Sequence, residues 1–336
     1  MIWFMRVRFA SETSRARFIL VFLARAGDPR REHSFNDRKK MKKLTRRDFV
    51  KSGLAGISAV SAGLLFSGFP AGIKIDQVEL GETGLKVSRL ALGTGTGGYA
   101  RQSAFTRMDQ AEAMRIAHRA YESGVTLMDT ADSYGTHPFV RRFLKEVPRE
   151  NCQIMTKIWT EDTSWNTVTP VSQTLDRFRQ ELNTDQIEIV LLHCLMSGDW
   201  PQTKTAFRDG LDEAKSKNIV KKVGVSCHDY KALEVAVDDP WVDVILARIN
   251  PGQVAMDGTP EQIMSLLKRA KENGKGVIGM KIFGAGQWNN EKQKQESLNF
   301  VIKSGNVHAM TIGMTSMAYL ADSVERITSV VNGLQA

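Results

Sequence analysis

The chain has little cysteine, few long apolar runs and no surplus of charge outside its first residues. Cysteine occurs three times, as Cys152, Cys194 and Cys227. An odd number, with no Cys-x-x-Cys pair and no His/Cys spacing suited to zinc, excludes a disulfide framework and gives no reason to expect an iron–sulfur or zinc site. Hydrophobic residues make up 42% and charged residues 25%. That is the balance of an ordinary soluble globular protein, neither disordered nor a bundle of membrane spans.

The formal net charge is +9, but Met1 to Lys74 holds 16 basic and 5 acidic residues, which leaves 30 basic and 32 acidic residues from Ile75 to Ala336. A phosphate-binding footprint belongs on a folded domain. Here the surplus lies on a leader, so no nucleic-acid partner is expected.

The leader itself carries a pattern. Thr45, Arg46, Arg47, Asp48, Phe49, Val50 and Lys51 precede an uncharged stretch from Ser52 to Ile73 rich in Gly, Ala and Ser. This order is that of a twin-arginine export signal. The apolar core, Leu54 to Phe66, is short against the roughly 20 apolar residues of a membrane span. Met41, followed by Lys42, Lys43 and Leu44, opens a conventional charged region, whereas Met1 to Lys40 shows no periodicity. The expected organisation is an upstream extension over 1–40 with Met41 as the true start, a twin-arginine signal segment over 41–74 and one domain over 75–336. The expected partner of the leader is the twin-arginine translocation machinery, and the expected location is the periplasm or the outer face of the membrane.

In the body, short apolar runs alternate with amphipathic stretches. After a hairpin, Gln77 to Leu80 and Leu85 to Arg89 around Gly81 and Gly84, strands are expected at Leu90 to Gly93, Val125 to Asp129, Gln153 to Lys157, Ile187 to His193, Val220 to Ser226, Val242 to Ile249, Gly276 to Lys281 and His308 to Gly313. Helical periodicity separates them, as in Met108 to Ser123, Pro170 to Leu182, Thr203 to Lys217, Pro260 to Asn273 and Asn290 to Lys303. Eight strands alternating with helices over about 250 residues predict an α/β fold, a (β/α)8 TIM barrel with an N-terminal β-hairpin. The Gly-rich run Gly93 to Gly98 does not open a helix directly, as a dinucleotide fingerprint must, and reads as a flexible loop after the first barrel strand.

In a barrel the chemistry belongs at the C-terminal ends of the strands. Asp129 ends the second barrel strand, with Tyr134 in its loop; Lys157 ends the third; His193 ends the fourth. With these four in this order on these strand ends, and the Tyr five residues after the Asp, the sequence from about Gln77 to Ile327 resembles the aldo-keto reductase superfamily. The resemblance implies catalytic roles for Asp129, Tyr134, Lys157 and His193 and a nicotinamide nucleotide cofactor, NADPH, with NADH as the variant.

The chemistry is consistent with that assignment. Hydride addition to a carbonyl places negative charge on its oxygen, which calls for a proton donor and a hydrogen bond there. Tyr134 is the candidate donor; a free tyrosine ionises near about pH 10, and an ammonium at Lys157 is expected to bring that value down. Asp129 would fix Lys157, and His193 would orient the carbonyl. The hydride itself needs a cofactor.

The resemblance also implies cofactor contacts from Gly93 and Thr94 after the first barrel strand and from Ser226 after the fifth, with Cys227 where relatives carry Asn or Arg. On the sixth strand Asn250 matches, while Leu246 replaces a Gln and Arg248 shares its face. On the seventh, Lys281, Phe283, Gly284 and Gly286 are expected at the pyrophosphate, and Met280 takes the place of a stacking aromatic. After the eighth, Gly313, Met314, Thr315 and Ser316 complete the set; Met314 and Leu320 stand where many relatives hold the 2′-phosphate with Lys or Arg. Tyr99, Trp159, Trp165 and Trp200 are expected to wall an open pocket.

The expected function is thus an NAD(P)H-dependent reductase of a small aldehyde, ketone or sugar-like carbonyl. Its alternative is a barrel that binds nucleotide for a regulatory or structural purpose with little turnover. A metal-dependent barrel hydrolase lacks clustered His and carboxylate ligands.

Overall fold

The computed structural model of the protein describes residues 72–335. The upstream extension, the twin-arginine segment and the expected start at Met41 lie outside the described residues.

Among the described residues ten strands follow one another in sequence: β1 (Gln77–Glu79), β2 (Lys86–Ser88), β3 (Leu90–Gly93), β4 (Leu127–Asp129), β5 (Gln153–Trp159), β6 (Ile187–Leu195), β7 (Val220–Cys227), β8 (Val244–Arg248), β9 (Gly276–Met280) and β10 (Ala309–Gly313). β1 and β2 pair antiparallel, and β3 to β10 close into an eight-stranded barrel in which β10 joins β3. All barrel pairings are parallel. The expected (β/α)8 barrel and its hairpin are both present.

Strand alternation sorts the apolar side chains into two layers. Ala91, Leu127, Met155, Ile189, Leu191, Val244, Leu246, Ile278, Met280 and Ala309 fill the barrel interior together with Leu80 and Val87 of the hairpin. Leu80 closes the lower end: a β-carbon on Gly276 would meet its Cγ at 2.6 Å. The other layer packs strands against helices, as with Ile154, Val190, Leu192, Val223 and Val225 against Phe178, Leu211 and Leu233.

The helices begin where short polar side chains can satisfy the free N–H groups of the first turn. Asp109 accepts from Glu112 N at 3.0 Å ahead of the helix Gln110–Glu122, and Asp229 accepts from Ala232 N at 3.0 Å ahead of Tyr230–Asp238. Thr259 forms a capping box with Gln262, and Pro260 occupies the first helical position, where its missing N–H costs nothing. Among the described residues no helix is long and apolar enough to cross a membrane.

Candidate active site at the barrel mouth

The four residues singled out in the sequence come together at the C-terminal end of the barrel. β4 delivers Asp129 and β5 delivers Lys157, whose ammonium pairs with Asp129 Oδ1 and also donates to Thr130 O at 2.8 Å. Lys157 is 0% exposed, so its charge is tolerable only because it is paired and hydrogen-bonded. Thr311 on β10 donates to Asp129 Oδ2 at 2.6 Å, so both carboxylate oxygens are held. A short 3-10 turn, Asp132–Tyr134, then carries Tyr134 over Lys157, whose Nζ lies 4.7 Å from the centre of the phenol ring. The Tyr134 and His193 ring centres are 5.5 Å apart, edge to face.

Three strands run further than expected, β7 by one residue to Cys227 and two others by two residues each. β5 continues past Lys157 to Trp159 and β6 past His193 to Leu195, with Trp159 and His193 in register. Lys157 and His193 are therefore positioned by sheet hydrogen bonding and not by a loop.

The glycine-rich run is not free. Gly98 N donates to Gly95 O, Tyr99 and Gln102 exchange backbone hydrogen bonds, and Ala104 N donates to Thr96 O, all at 2.9–3.0 Å. A β-carbon on Gly95 or Gly98 would overlap the Tyr134 ring. The expected flexible loop is instead a packed wall that needs glycine to admit the tyrosine. Beneath the turn, Thr136 bonds Thr94 Oγ1 at 2.8 Å and Thr130 Oγ1 at 2.7 Å, and Thr94 Oγ1 donates to Asp129 O at 2.8 Å.

The turn is also clamped from outside by groups that sequence reasoning missed. Asp132 is buried and takes hydrogen bonds from Arg177 at 2.9 and 2.7 Å, with Arg101 Nε 3.1 Å away. Arg177 also binds Glu181, which meets His137 Nδ1 at 2.7 Å, and His137 Nε2 reaches Thr156 Oγ1 at 2.7 Å. This network ties the turn to the helix Val171–Leu182 and to β5. No motif announces it, because its members come from separate elements.

Electrostatics at the site differ from the expectation in one respect. Burial, with Asp129 and then Cys194, raises the Tyr134 phenol well above its ordinary value. The expected net lowering does not result, because burial and the negative charge of Asp129 outweigh what the Lys157 ammonium contributes toward the phenolate. Tyr134 is thus held protonated. Burial, with Lys157, His228 and Lys281, drives the His193 imidazole well below its ordinary value, so the ring is neutral. Ser133 Oγ lies 3.3 Å from His193 Nδ1; when Ser133 donates there, the ring proton sits on Nε2.

Two cavities flank Tyr134 and His193. The first, about 390 Å³, is lined by Asp129, Tyr134, Leu246 and Met280 on the inside and by a glycine-rich rim. The second, about 490 Å³, is lined by Trp159, His193, Cys194, Trp200 and His228, with exposed Met196 on its edge. Of the expected wall aromatics, Trp159 and Trp200 line this cavity, and Tyr99 and Trp165 pack on Trp159 with ring centres 6.0 and 5.3 Å away.

Of the residues expected at a cofactor, Gly93, Lys281, Phe283, Gly286, Gly313 and Thr315 line the first cavity. Ser226 lies beside it, in register with Leu246, and its Oγ is buried with no hydrogen-bond partner. The remainder are placed otherwise. Cys227 points into the strand–helix layer and Met314 packs there too. The Thr94 hydroxyl is spent on Asp129 O and Thr136. Asn250 is consumed by its own loop, donating to Val254 O and Lys281 O and accepting from Val254 N. Gly284 lies buried in a 3-10 turn, and Ser316 Oγ accepts from Tyr319 N at the start of the helix Met317–Gln335. Arg248 is bound to Asp257 and to His228 O, so it does not reach the first cavity. Conversely, Thr96, Trp288, Asn289, Thr311 and Tyr319 line that cavity without having been singled out. An aromatic shortly after the run Gly284–Gly286 was the one available signal, for Trp288.

The residues present suit a nicotinamide nucleotide. An orphaned Ser226 hydroxyl under the cleft can bind a polar head such as a carboxamide, and Gly286, at φ +91° with open space where a β-carbon would stand, admits a close approach by a phosphate.

A parallel eight-stranded barrel with a buried Asp–Lys pair, a Tyr and a neutral His at its mouth defines the class to which the chain's sequence can be compared. Residues 91–333 match the aldo/keto reductase family, and the chain belongs to that family. It is 31% identical over 120 residues to methylglyoxal reductase DkgB of Salmonella typhi, a match that takes in 35% of this chain and 43% of that protein. The chain therefore aligns with less than half the length of that relative. It is 22% identical over 294 residues to L-galactose dehydrogenase of Arabidopsis thaliana, covering 76% of this chain and 89% of that one. The fold is shared with an aldo-keto reductase from Bacillus halodurans in its holo form, at a TM-score of 0.59 and 18% identity over 76% of this chain and 91% of that one.

Proposed function

We propose that the chain is a nicotinamide-nucleotide-dependent oxidoreductase that reduces an aldehyde, ketone or sugar-like carbonyl, with Tyr134 as proton donor. The observation that carries this reading is the Tyr134 phenol, held protonated between a paired ammonium and a neutral imidazole, with Tyr134 lining one cavity and His193 the other. Membership of the family and relatives named as reductase and dehydrogenase support it.

When bound, NADPH or NADH supplies the hydride. The chain's residues do the rest. His193 donates a hydrogen bond from Nε2 to the carbonyl oxygen and sets its orientation. Tyr134 Oη holds the proton that the oxygen takes as charge builds on it. Lys157, locked to Asp129, stands 4.7 Å from the ring centre and stabilises the phenolate left behind. Ser226 and the glycine rim hold the nucleotide, and the apolar walls of the second cavity exclude water from the reacting atoms. The only Lys or Arg among the residues lining the first cavity is Lys281, so neither form of the nucleotide is favoured by a dedicated cation near Met314.

Replacing Tyr134 by Phe tests the reading. Carbonyl reduction should be lost while nucleotide affinity stays within about threefold; undiminished reduction by that variant removes the mechanism.

We also propose that the protein is exported by the twin-arginine route, on the strength of Arg46, Arg47 and the uncharged stretch after them. Changing both arginines to Lys should retain the protein in the cytoplasmic fraction, and unchanged fractionation contradicts the proposal.

A further inference from the structure

His193 can serve the proposed reaction only if its Nε2 carries a proton, because the carbonyl oxygen it is to meet accepts and does not donate. A neutral imidazole has one N–H, and the partner of the other nitrogen decides where that proton sits. Here that partner is Ser133. Its Oγ lies 3.3 Å from His193 Nδ1, and both residues are buried, at 1% and 5% exposure.

The direction of this bond follows from what else the two side chains can reach. Among the described residues, His193 Nδ1 is the one polar atom that Ser133 Oγ bonds, and Ser133 Oγ is the one that the His193 ring bonds. With the proton on Nδ1, the imidazole would donate to Oγ, the hydroxyl proton would be left buried without an acceptor, and Nε2 would turn a lone pair toward the carbonyl oxygen. With the hydroxyl donating, Oγ and Nδ1 satisfy one another. The N–H on Nε2 is then left for the second cavity, which His193 lines, and Nε2 is not among the buried polar atoms sealed off without a partner.

Both members of the pair are held in place. Ser133 O accepts from Arg101 N at 2.9 Å, Asp132 on one side is clamped by Arg177, and Tyr134 N on the other donates to Ala131 O at 3.1 Å. The imidazole is braced by two rings, Tyr134 with centres 5.5 Å apart and Trp159 with centres 5.4 Å apart, both edge to face. Ser133 lines neither cavity. Its hydroxyl therefore acts on the imidazole alone.

We propose that Ser133 is a positioning residue for the reduction: its hydroxyl holds His193 in the Nε2–H form, so that the turn presenting Tyr134 also sets the second group that meets the carbonyl oxygen. The inference rests on the reductase reading for what His193 does there.

Full-length protein with nitrogen-15 in its histidines is compared with its Ser133→Ala and Ser133→Thr variants by long-range proton–nitrogen correlation NMR, the His193 signals being identified by their loss in His193→Gln. The wild-type ring should be neutral and protonated on Nε2 at neutral pH. Ser133→Ala should bring in the Nδ1–H form and lower kcat/KM for benzaldehyde or glyceraldehyde by about 2- to 10-fold, the range of one neutral hydrogen bond, with NADPH affinity within about threefold. Ser133→Thr, which keeps the hydroxyl, should restore both. If Ser133→Ala does not fold, Ser133→Cys, with its weaker donor, takes its place. An Nδ1-protonated ring in the wild-type protein overturns the inference. So does a loss of rate in the variant with the tautomer unchanged, which leaves Ser133 a packing role, or a changed tautomer with no loss of rate. The spectra need no turnover: an Nε2–H form that depends on the Ser133 hydroxyl upholds the inference even if neither aldehyde is reduced.

Discussion

Thr311 on β10 donates a 2.6 Å hydrogen bond to the carboxylate of Asp129 on β4, across a sequence separation of 182 residues. β3 lies between these strands, and the bond fixes the Asp129 oxygen that Lys157 leaves unoccupied. A hydrogen bond to a charged group contributes about 1.5–3 kcal/mol. Thr311→Val, which keeps the shape and removes the donor, should lower kcat by about tenfold or more through a loosened Asp129–Lys157 pair. Thr311→Ser should recover most of it. Steady-state kinetics of the two variants, with thermal unfolding as a control for folding, check this.

Gly95 and Gly98 make room for the Tyr134 ring. Gly95→Ala puts a β-carbon inside that ring's space, so the phenol must move. Displacements of this size cost on the order of 100-fold in rate when the donor must meet a developing charge. The expected outcome is a large fall in kcat with the melting temperature only slightly lower. Unchanged kcat would show that the ring position is not what the loop provides.

Asp132 anchors the turn that presents Tyr134. It is buried, while its partners Arg177 and Arg101 are 32% and 46% exposed, so solvent screens part of the interaction. Asp132→Ala removes the anion and leaves two guanidiniums facing an apolar gap, a loss of about 1–3 kcal/mol after that screening. Chemical denaturation measures it, and Asp132→Asn should fall between the two.

Acid should unfold the protein earlier than its carboxylates alone require. His193 and His228 are buried as neutral rings, with folded-state pKa values depressed, that of His228 to about 3. Below about pH 6.5 the unfolded chain binds protons that the folded one does not, so stability is complete above that pH and falls as pH drops toward 3, by up to about 1.4 kcal/mol per pH unit for each ring. A denaturation midpoint that is level from pH 7 to 8 and declines from pH 6 to 4 is expected. By contrast, the reduction rate should not fall on the alkaline side through loss of the Tyr134 proton until pH exceeds 10, because that phenol is raised and not lowered.

The barrel and its four principal residues were legible in the sequence for a physical reason. Parallel strands buried on both sides read as short apolar runs, and a polar residue ending such a run stands out, as Asp129, Lys157 and His193 do. The hairpin, too, was legible, from Gly81 and Gly84. Less legible were properties set by orientation and by pairing across the fold. Cys227 and Ser226 are adjacent, yet alternation sends one to the helix layer and leaves the other beside the cleft. Asn250 matched a pattern, but its amide is used by the loop it belongs to. The direction of the Tyr134 shift depended on burial and the Asp129 charge outweighing the Lys157 ammonium, which spacing does not fix.

Every role assigned at the barrel mouth depends on a nicotinamide nucleotide occupying the first cavity. Fluorescence titration of the purified full-length protein with NADPH and then NADH tests this most directly, with Ser226→Ala as the companion variant. Saturable binding of at least one nucleotide, weakened several-fold by Ser226→Ala, is the result the account predicts; binding of neither, in a protein that remains folded, contradicts it.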